Sequence, residues 1–296
     1  MDETFVKKYL NDYLKNKNIS YESEFSLLSG GRVDFLSYYW KNDYEISING
    51  YECKGNPSPY SVAKIIREQI MEYQKAIQKT YLVVGSSRIN ELNTLCRVNS
   101  VGLINIKQDG SIKIIVEPPE ERHLFLEDTA YKNLRSISAM YLTFEEKFGS
   151  KLRKGSYWRS TPEPNNEAQF NMGYAEDTGS VYFSINIENS LKILNRINLK
   201  RLHSELINLS DDYWINAGIT IYHVPRKGIY TTIINTSVTE IEMADLEYLK
   251  EKAQDNIVFL QITTNVWDSY EILSRRIYLS RVEIAMEQLY NIKNIM

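Results

Sequence analysis

The chain has 296 residues, 43% of them hydrophobic and 25% charged, with a formal net charge of −3. That composition is ordinary for a soluble globular protein, and the length favours two domains over one. Two cysteines and three histidines exclude a disulfide framework and a Cys/His zinc cluster and fit a reducing cytoplasm.

In chain order, "MDETFVKKYL" begins with acids and lacks the apolar run of a signal peptide. No stretch approaches the roughly 18 apolar residues of a membrane span, so a cytoplasmic protein without a membrane partner is expected. Phe5, Tyr9 (or Leu10) and Tyr13 recur at helical spacing and predict an amphipathic helix from Glu3 to Leu14. "ISYESEFSLL" alternates as a strand does; "GRVDFLSYYW" and "YEISINGYECK" follow as a second and a third strand, with "WKNDY" as the turn between them. The Asn49–Gly50 pair is itself a turn signal and predicts a break or bulge in the third strand. "PSPYSVAKIIREQIMEYQKAIQK" opens with prolines and carries Val62, Ile66, Ile70, Tyr73 and Ile77 on one helical stripe. "TYLVVGSS" reads as a strand buried on both faces, followed by a helix from Arg88 to Val98. "VGLINIK", a turn at Asp109–Gly110 and "SIKIIVEPP" then close a mixed sheet covered by helices.

The Pro118–Pro119 pair marks the end of this first domain, residues 1–120. Residues 121–296 read as an α+β domain: a helix from Thr129 to Phe148, strands near Gln169–Tyr174 and Val181–Ile187, and helices around Ser190–Leu206. Strands at Asp212–His223 and Gly228–Ile234, a helix at Glu240–Ala253, the strand "NIVFLQITT" and a final helix at Tyr270–Ile292 follow. "KFGSKLRKGSYWRS" gathers Lys147, Lys151, Arg153, Lys154 and Arg159 with Tyr157 and Trp158 and no acid, the mixture a phosphate-and-base surface requires. A solvated linker of the same composition is the alternative.

Chemistry concentrates in the second and third strands. Alternation sends Glu52 and Lys54 to one face and Cys53 to the other. Asp34 lies between Val33 and Phe35, and a carboxylate on a covered sheet is costly unless a cation offsets it. Two carboxylates on adjacent strands, with the Cys53 carbonyl between Glu52 and Lys54, are the hard oxygen set that Mg²⁺ prefers, and Mn²⁺ can substitute. The lysine beside them can orient or deprotonate an attacking water and screen charge on a phosphate. Glu145 and Lys147 repeat the acid-x-Lys spacing in a helix end without a partner acid and read as a solvated pair. Gln69 and Tyr73 stand four apart on the stripe that faces the sheet, where a buried amide needs partners. The histidines are too scattered for zinc; "LLSGGRVD" precedes a strand rather than a helix, and "VVGSSR" is no nucleophile elbow.

"GGRVDF…YECKG…REQIMEY…TYLVVGSS…VGLINI" resembles the PD-(D/E)XK nuclease superfamily, with the restriction-endonuclease-like fold, over about residues 1–118. The Gln-x3-Tyr of "QIMEY" is similar to that of the recombination exonucleases within it. The resemblance implies a metal-dependent nuclease, expected to be an endonuclease of DNA in defence or repair. Asp34 and Glu52 would be metal ligands, Lys54 the catalytic lysine, and Gln69 and Tyr73 the helix-borne pair that holds substrate or the lysine. A further acid on the first helix is a family feature for which Glu3 is the candidate, with Glu22 and Glu24 as alternatives. Val33 stands where many members have proline. Action on RNA or single strands, and a non-cutting binding or assembly module on the same fold, are the rival expectations; a homodimer would suit duplex symmetry.

Overall fold

The computed structural model describes residues 1–28, 30–119, 127–149, 153–154, 158–161, 167–175, 180–188, 194–209, 215–226, 229–255, 258–267 and 274–296. The chain divides into two compact units, Met1–Ser138 and Ala139–Met296, a division that falls later than the proline pair suggests and inside a helix. Among the described residues no helix is long and apolar enough to cross a membrane.

The first unit is a mixed six-stranded sheet with strands in sequence order. Helix α1 (Glu3–Asn16) leads into β1 (Ser20–Ser26), β2 (Arg32–Trp40) and β3 (Ile46–Lys54), an antiparallel meander. Its N-cap Asp2 accepts a hydrogen bond from the Phe5 amide. The core face of α1 is Val6, Leu10 and Leu14, packed on Phe35, Tyr51, Cys53, Tyr81 and Val83; the expected Phe5, Tyr9 and Tyr13 flank it, half-buried. The stripe is therefore turned by one residue from the aromatic pattern.

A continuous helix, α2, joins β3 to β4 (Lys79–Val84). It runs from Pro59–Ile65 through a π-helical turn, Ile66–Ile70, to Met71–Tyr73. The crossover makes β3 and β4 parallel. Helix α3 (Ile89–Val98) leads to β5 (Gly102–Ile106), parallel to β4, and β6 (Ile112–Val116) returns antiparallel. β3 crosses Asn49–Gly50 without interruption, contrary to the turn signal. Gly50 serves close approach instead: a Cβ there would stand 2.8 Å from Ile77 Cδ1.

Among the described residues the second unit is an antiparallel seven-stranded sheet built from β7 (Arg153–Lys154), β8 (Trp158–Ser160), β9 (Gln169–Ala175), β10 (Ser180–Glu188), β11 (Ile215–Arg226), β12 (Ile229–Ser237) and β13 (Val258–Trp267). The strand order is β12-β11-β13-β10-β9-β8-β7. The part of α4 (Asp128–Phe148) from Ala139 onward, α5 (Leu199–Ile207), α6 (Met243–Asp255) and α7 (Arg275–Lys293) accompany it in the chain. One sheet face is apolar: Phe144 of α4 stacks on Phe170, which stacks on Phe183. The first unit, with parallel crossovers in a mixed sheet, is α/β, and the second, antiparallel in all its described pairings, is α+β.

Candidate functional site

The ladder between β2 and β3 begins at Phe35 and Tyr51, so Asp34 stands where the two strands part. Separation leaves the Cys53 amide without a strand partner from β2. Asp34 takes its place: Oδ2 accepts from the Cys53 N–H at 2.7 Å. The side chain thus does the work of a ladder carbonyl and is locked in direction, with the residue only 8% exposed. β1 departs from regularity at the same level. Glu24, between the pairs Ser23–Phe35 and Phe25–Val33, has φ of +53°, a left-handed backbone that costs a glutamate on the order of 1 kcal/mol.

That distortion accompanies a cluster of charges. Lys7 on α1 places Nζ 2.6 Å from Asp34 Oδ1, 3.0 Å from Glu24 Oε1 and 3.2 Å from Glu3 Oε1. Arg32 Nε lies 3.0 Å from Glu24 Oε2. On β3, Lys54 Nζ lies 2.8 Å from Glu52 Oε1 and 3.4 Å from Glu3 Oε2. Glu52 is 4% exposed, and its Oε2 stands 3.1 Å from the Tyr73 hydroxyl. The same hydroxyl donates to the Arg32 carbonyl at 2.8 Å, so one phenolic proton serves two acceptors. Gly31, at φ of +85°, lets the chain pass this ring; its Cβ position lies 3.2 Å from Tyr73 Cε1.

The electrostatics follow from burial and pairing. Burial pushes the Glu52 carboxyl above its usual range, and the nearby Asp34 charge adds to this; Lys54 and Tyr73 oppose it. Burial alone would lower the Lys54 ammonium, but the hydrogen bond and charge of Glu52 and the charge of Glu3 outweigh it and raise the group. Lys7 behaves alike: burial lowers it, and Asp34, Glu24 and Glu3 raise it further. Lys54 is thus held cationic at neutral pH.

The sequence-derived residues fare differently. Asp34, Glu52, Lys54 and Tyr73 come together. Cys53 contributes through its backbone: the thiol is buried in the apolar layer under α1, where burial pushes it up and away from ligation. Gln69 does not join the buried stripe; it is exposed. The π-turn over Ile66–Ile70 takes more residues per revolution and rotates Gln69 outward, while Ile66, Ile70 and Tyr73 stay in. The buried glutamine is Gln74, which donates to Thr80 Oγ1 and the Asn99 carbonyl. Of the three candidate acids, Glu3 and Glu24 belong to the cluster, whereas Glu22 accepts from Tyr38. Lys7, four residues after Glu3 and on the same helix face, joins the cluster as a residue that no motif singles out.

Does this donor set fit a divalent cation? All four carboxylate oxygens of Asp34 and Glu52 face protein donors: Lys7, the Cys53 amide, Lys54 and the Tyr73 hydroxyl. Among the described residues no group of three acidic, His or Cys side chains is arranged as a metal cage. Two buried carboxylates and a neighbouring carbonyl nonetheless fit Mg²⁺, which keeps several waters and takes few protein ligands.

In the second unit, the basic stretch lies partly outside the described residues. Arg159 is not a surface cation: it is 1% exposed, 3.8 Å from the Tyr141 ring centroid and 2.9 Å from Glu145 Oε1. Burial pulls its guanidinium down to about 10, still cationic at neutral pH. Glu145 is therefore the counter-ion of a buried arginine rather than a solvated partner of Lys147, which reaches Glu287 at 3.4 Å. Trp158 is 47% exposed. A cavity of about 700 Å³ on the sheet is lined by residues including Asn216, Thr220, Tyr222, Asn235 and Asn265, with no lysine or arginine among the described lining.

The sequence matches no family model and no curated protein sequence. One solved structure, a protein of unknown function from Silicibacter pomeroyi, is similar over 50% of this chain and 90% of its own, at 17% identity and a TM-score of 0.36. A likeness that slight carries no argument about fold or function.

Proposed function

We propose that the first unit is a metal-dependent nuclease of the restriction-endonuclease-like fold, hydrolysing phosphodiester bonds in DNA. The observation that carries the reading is the junction of β2 and β3, where Asp34, Glu52 and Lys54 meet with two carboxylates buried side by side. Each acid already has a lysine partner; what favours cation binding is that two such buried pairs converge at one strand junction. Asp34 and Glu52, with the Cys53 carbonyl, would hold Mg²⁺ or Mn²⁺, which supplies an activated water and screens the phosphate.

Each protein group then has a task. The Cys53 amide fixes the direction of Asp34. Tyr73 holds Glu52 from the helix side and ties it to the Arg32 carbonyl. Lys54, kept protonated by Glu52 and Glu3, presents positive charge to the water and to the phosphate oxygens. Gln69, exposed on α2, is free to meet substrate rather than the lysine. The test is metal-dependent nicking of supercoiled plasmid: the wild-type chain cuts, and Asp34→Asn and Lys54→Ala do not. Cutting by either variant at the wild-type rate would sink the assignment.

A further inference from the structure

Lys7 lies at the centre of three carboxylates, and they are not equivalent. Asp34 is nearly buried and fixed by the Cys53 amide, whereas the Glu3 and Glu24 side chains are 43% and 45% exposed. The backbone of α1 is anchored by the Asp2 cap and by Val6, Leu10 and Leu14. The movable part is therefore the lysine side chain, with two alternative acidic partners on its solvent side.

We infer that Lys7 is a built-in competitor for the cation site: its ammonium neutralises Asp34, and a divalent ion binding there displaces it toward Glu24 and Glu3. The inference rests on the nuclease reading for the identity of the ion. Its physical basis is that Asp34 Oδ1, at 2.6 Å from Nζ, cannot serve an ammonium and a divalent ion at once without placing two cations in contact. Glu24 and Glu3 make displacement feasible, because the ammonium leaves one carboxylate without losing all of them. The strained Glu24 backbone gains a purpose here: it turns a carboxylate toward Lys7 and Arg32.

The test is Mn²⁺ binding to the full chain by calorimetry and electron paramagnetic resonance, with folding checked by circular dichroism. Lys7→Met is expected to bind Mn²⁺ about tenfold tighter than wild type, the order for removing one charge several ångströms from a divalent ion. Lys7→Arg, which keeps the charge, should retain wild-type affinity. Glu24→Gln removes one refuge and should weaken binding, and the part of that effect that acts through Lys7 should vanish in the Lys7→Met background. Equal affinity of wild type and Lys7→Met, or weaker binding by Lys7→Met, overturns the competition while leaving the metal site standing. Absence of Mn²⁺ binding by wild type and every variant overturns the cation site itself, and the nuclease reading with it.

Discussion

Asp34 holds the site together in two separable ways, and two substitutions tell them apart. Asp34→Asn removes the charge opposite Lys7 but keeps an oxygen able to accept from the Cys53 amide. The ion pair is part-exposed on the lysine side, so its loss costs about 1 kcal/mol or less, and Lys7 still has Glu24 and Glu3. Asp34→Ala loses the pair and also leaves a buried N–H without its acceptor, which adds about 1–3 kcal/mol. Destabilisation should therefore rise from about 1 to about 3 kcal/mol across the pair of variants. Cys53 and Cys96 are both buried and both lie in the first unit, so thiol labelling in a urea series reads the opening of that unit alone. Both variants should be inactive as nucleases. Equal destabilisation by Asn and Ala would refute the claim that the carboxylate stands in for the missing ladder partner.

Three other outcomes follow from the same geometry. Because Glu52 is raised in the fold, the native state holds its proton more tightly than the unfolded chain, so stability falls as pH rises from the ordinary carboxylate value through the folded one. The acidic limb of Mn²⁺ binding should accordingly lie above the ordinary carboxylate range, and Tyr73→Phe, which removes a hydrogen bond that lowers Glu52, should move that limb further toward neutrality. Arg159→Ala, measured by chemical denaturation, should destabilise the second unit by about 3 kcal/mol, reduced if Glu145 is replaced as well; loss of DNA affinity without loss of stability would restore Arg159 as a phosphate contact. Gly50→Ala should cost about 1–3 kcal/mol through overpacking against Ile77 and be partly rescued by Ile77→Val, read by thermal melting.

Much of the first unit was legible because its signals are local. Apolar alternation and the 3.6 stripe through Val62, Ile66, Ile70 and Tyr73 report directly on burial. The failures have physical causes beyond a short window. Asn49–Gly50 has the chemistry of a turn, but the glycine answers to Ile77, twenty-seven residues further on. The phase of α1 was hidden by Phe5, Tyr9 and Tyr13, whose large rings cover the margins of a face set by Val6, Leu10 and Leu14. Gln69 leaves the expected face because a π-turn alters the α period there, and no residue in "IREQI" announces it. The acids of the site could be picked out because a carboxylate in an apolar strand is conspicuous. Lys7 could not, since a lysine on an amphipathic helix is ordinary until the fold brings Asp34 to it. In the second unit, the composition of the basic stretch does not reveal that one of its cations, Arg159, turns inward to Tyr141 and Glu145.

The nuclease assignment meets its most direct test in one gel. Supercoiled plasmid, linear duplex and single-stranded DNA are incubated with the wild-type chain and with Lys54→Ala, in Mg²⁺, in Mn²⁺ and in EDTA. Metal-dependent nicking or linearisation by the wild type, abolished by EDTA and by loss of the Lys54 ammonium, is the predicted result. A folded, Mn²⁺-binding chain that leaves every substrate intact, or one that cuts equally well without Lys54, would contradict it.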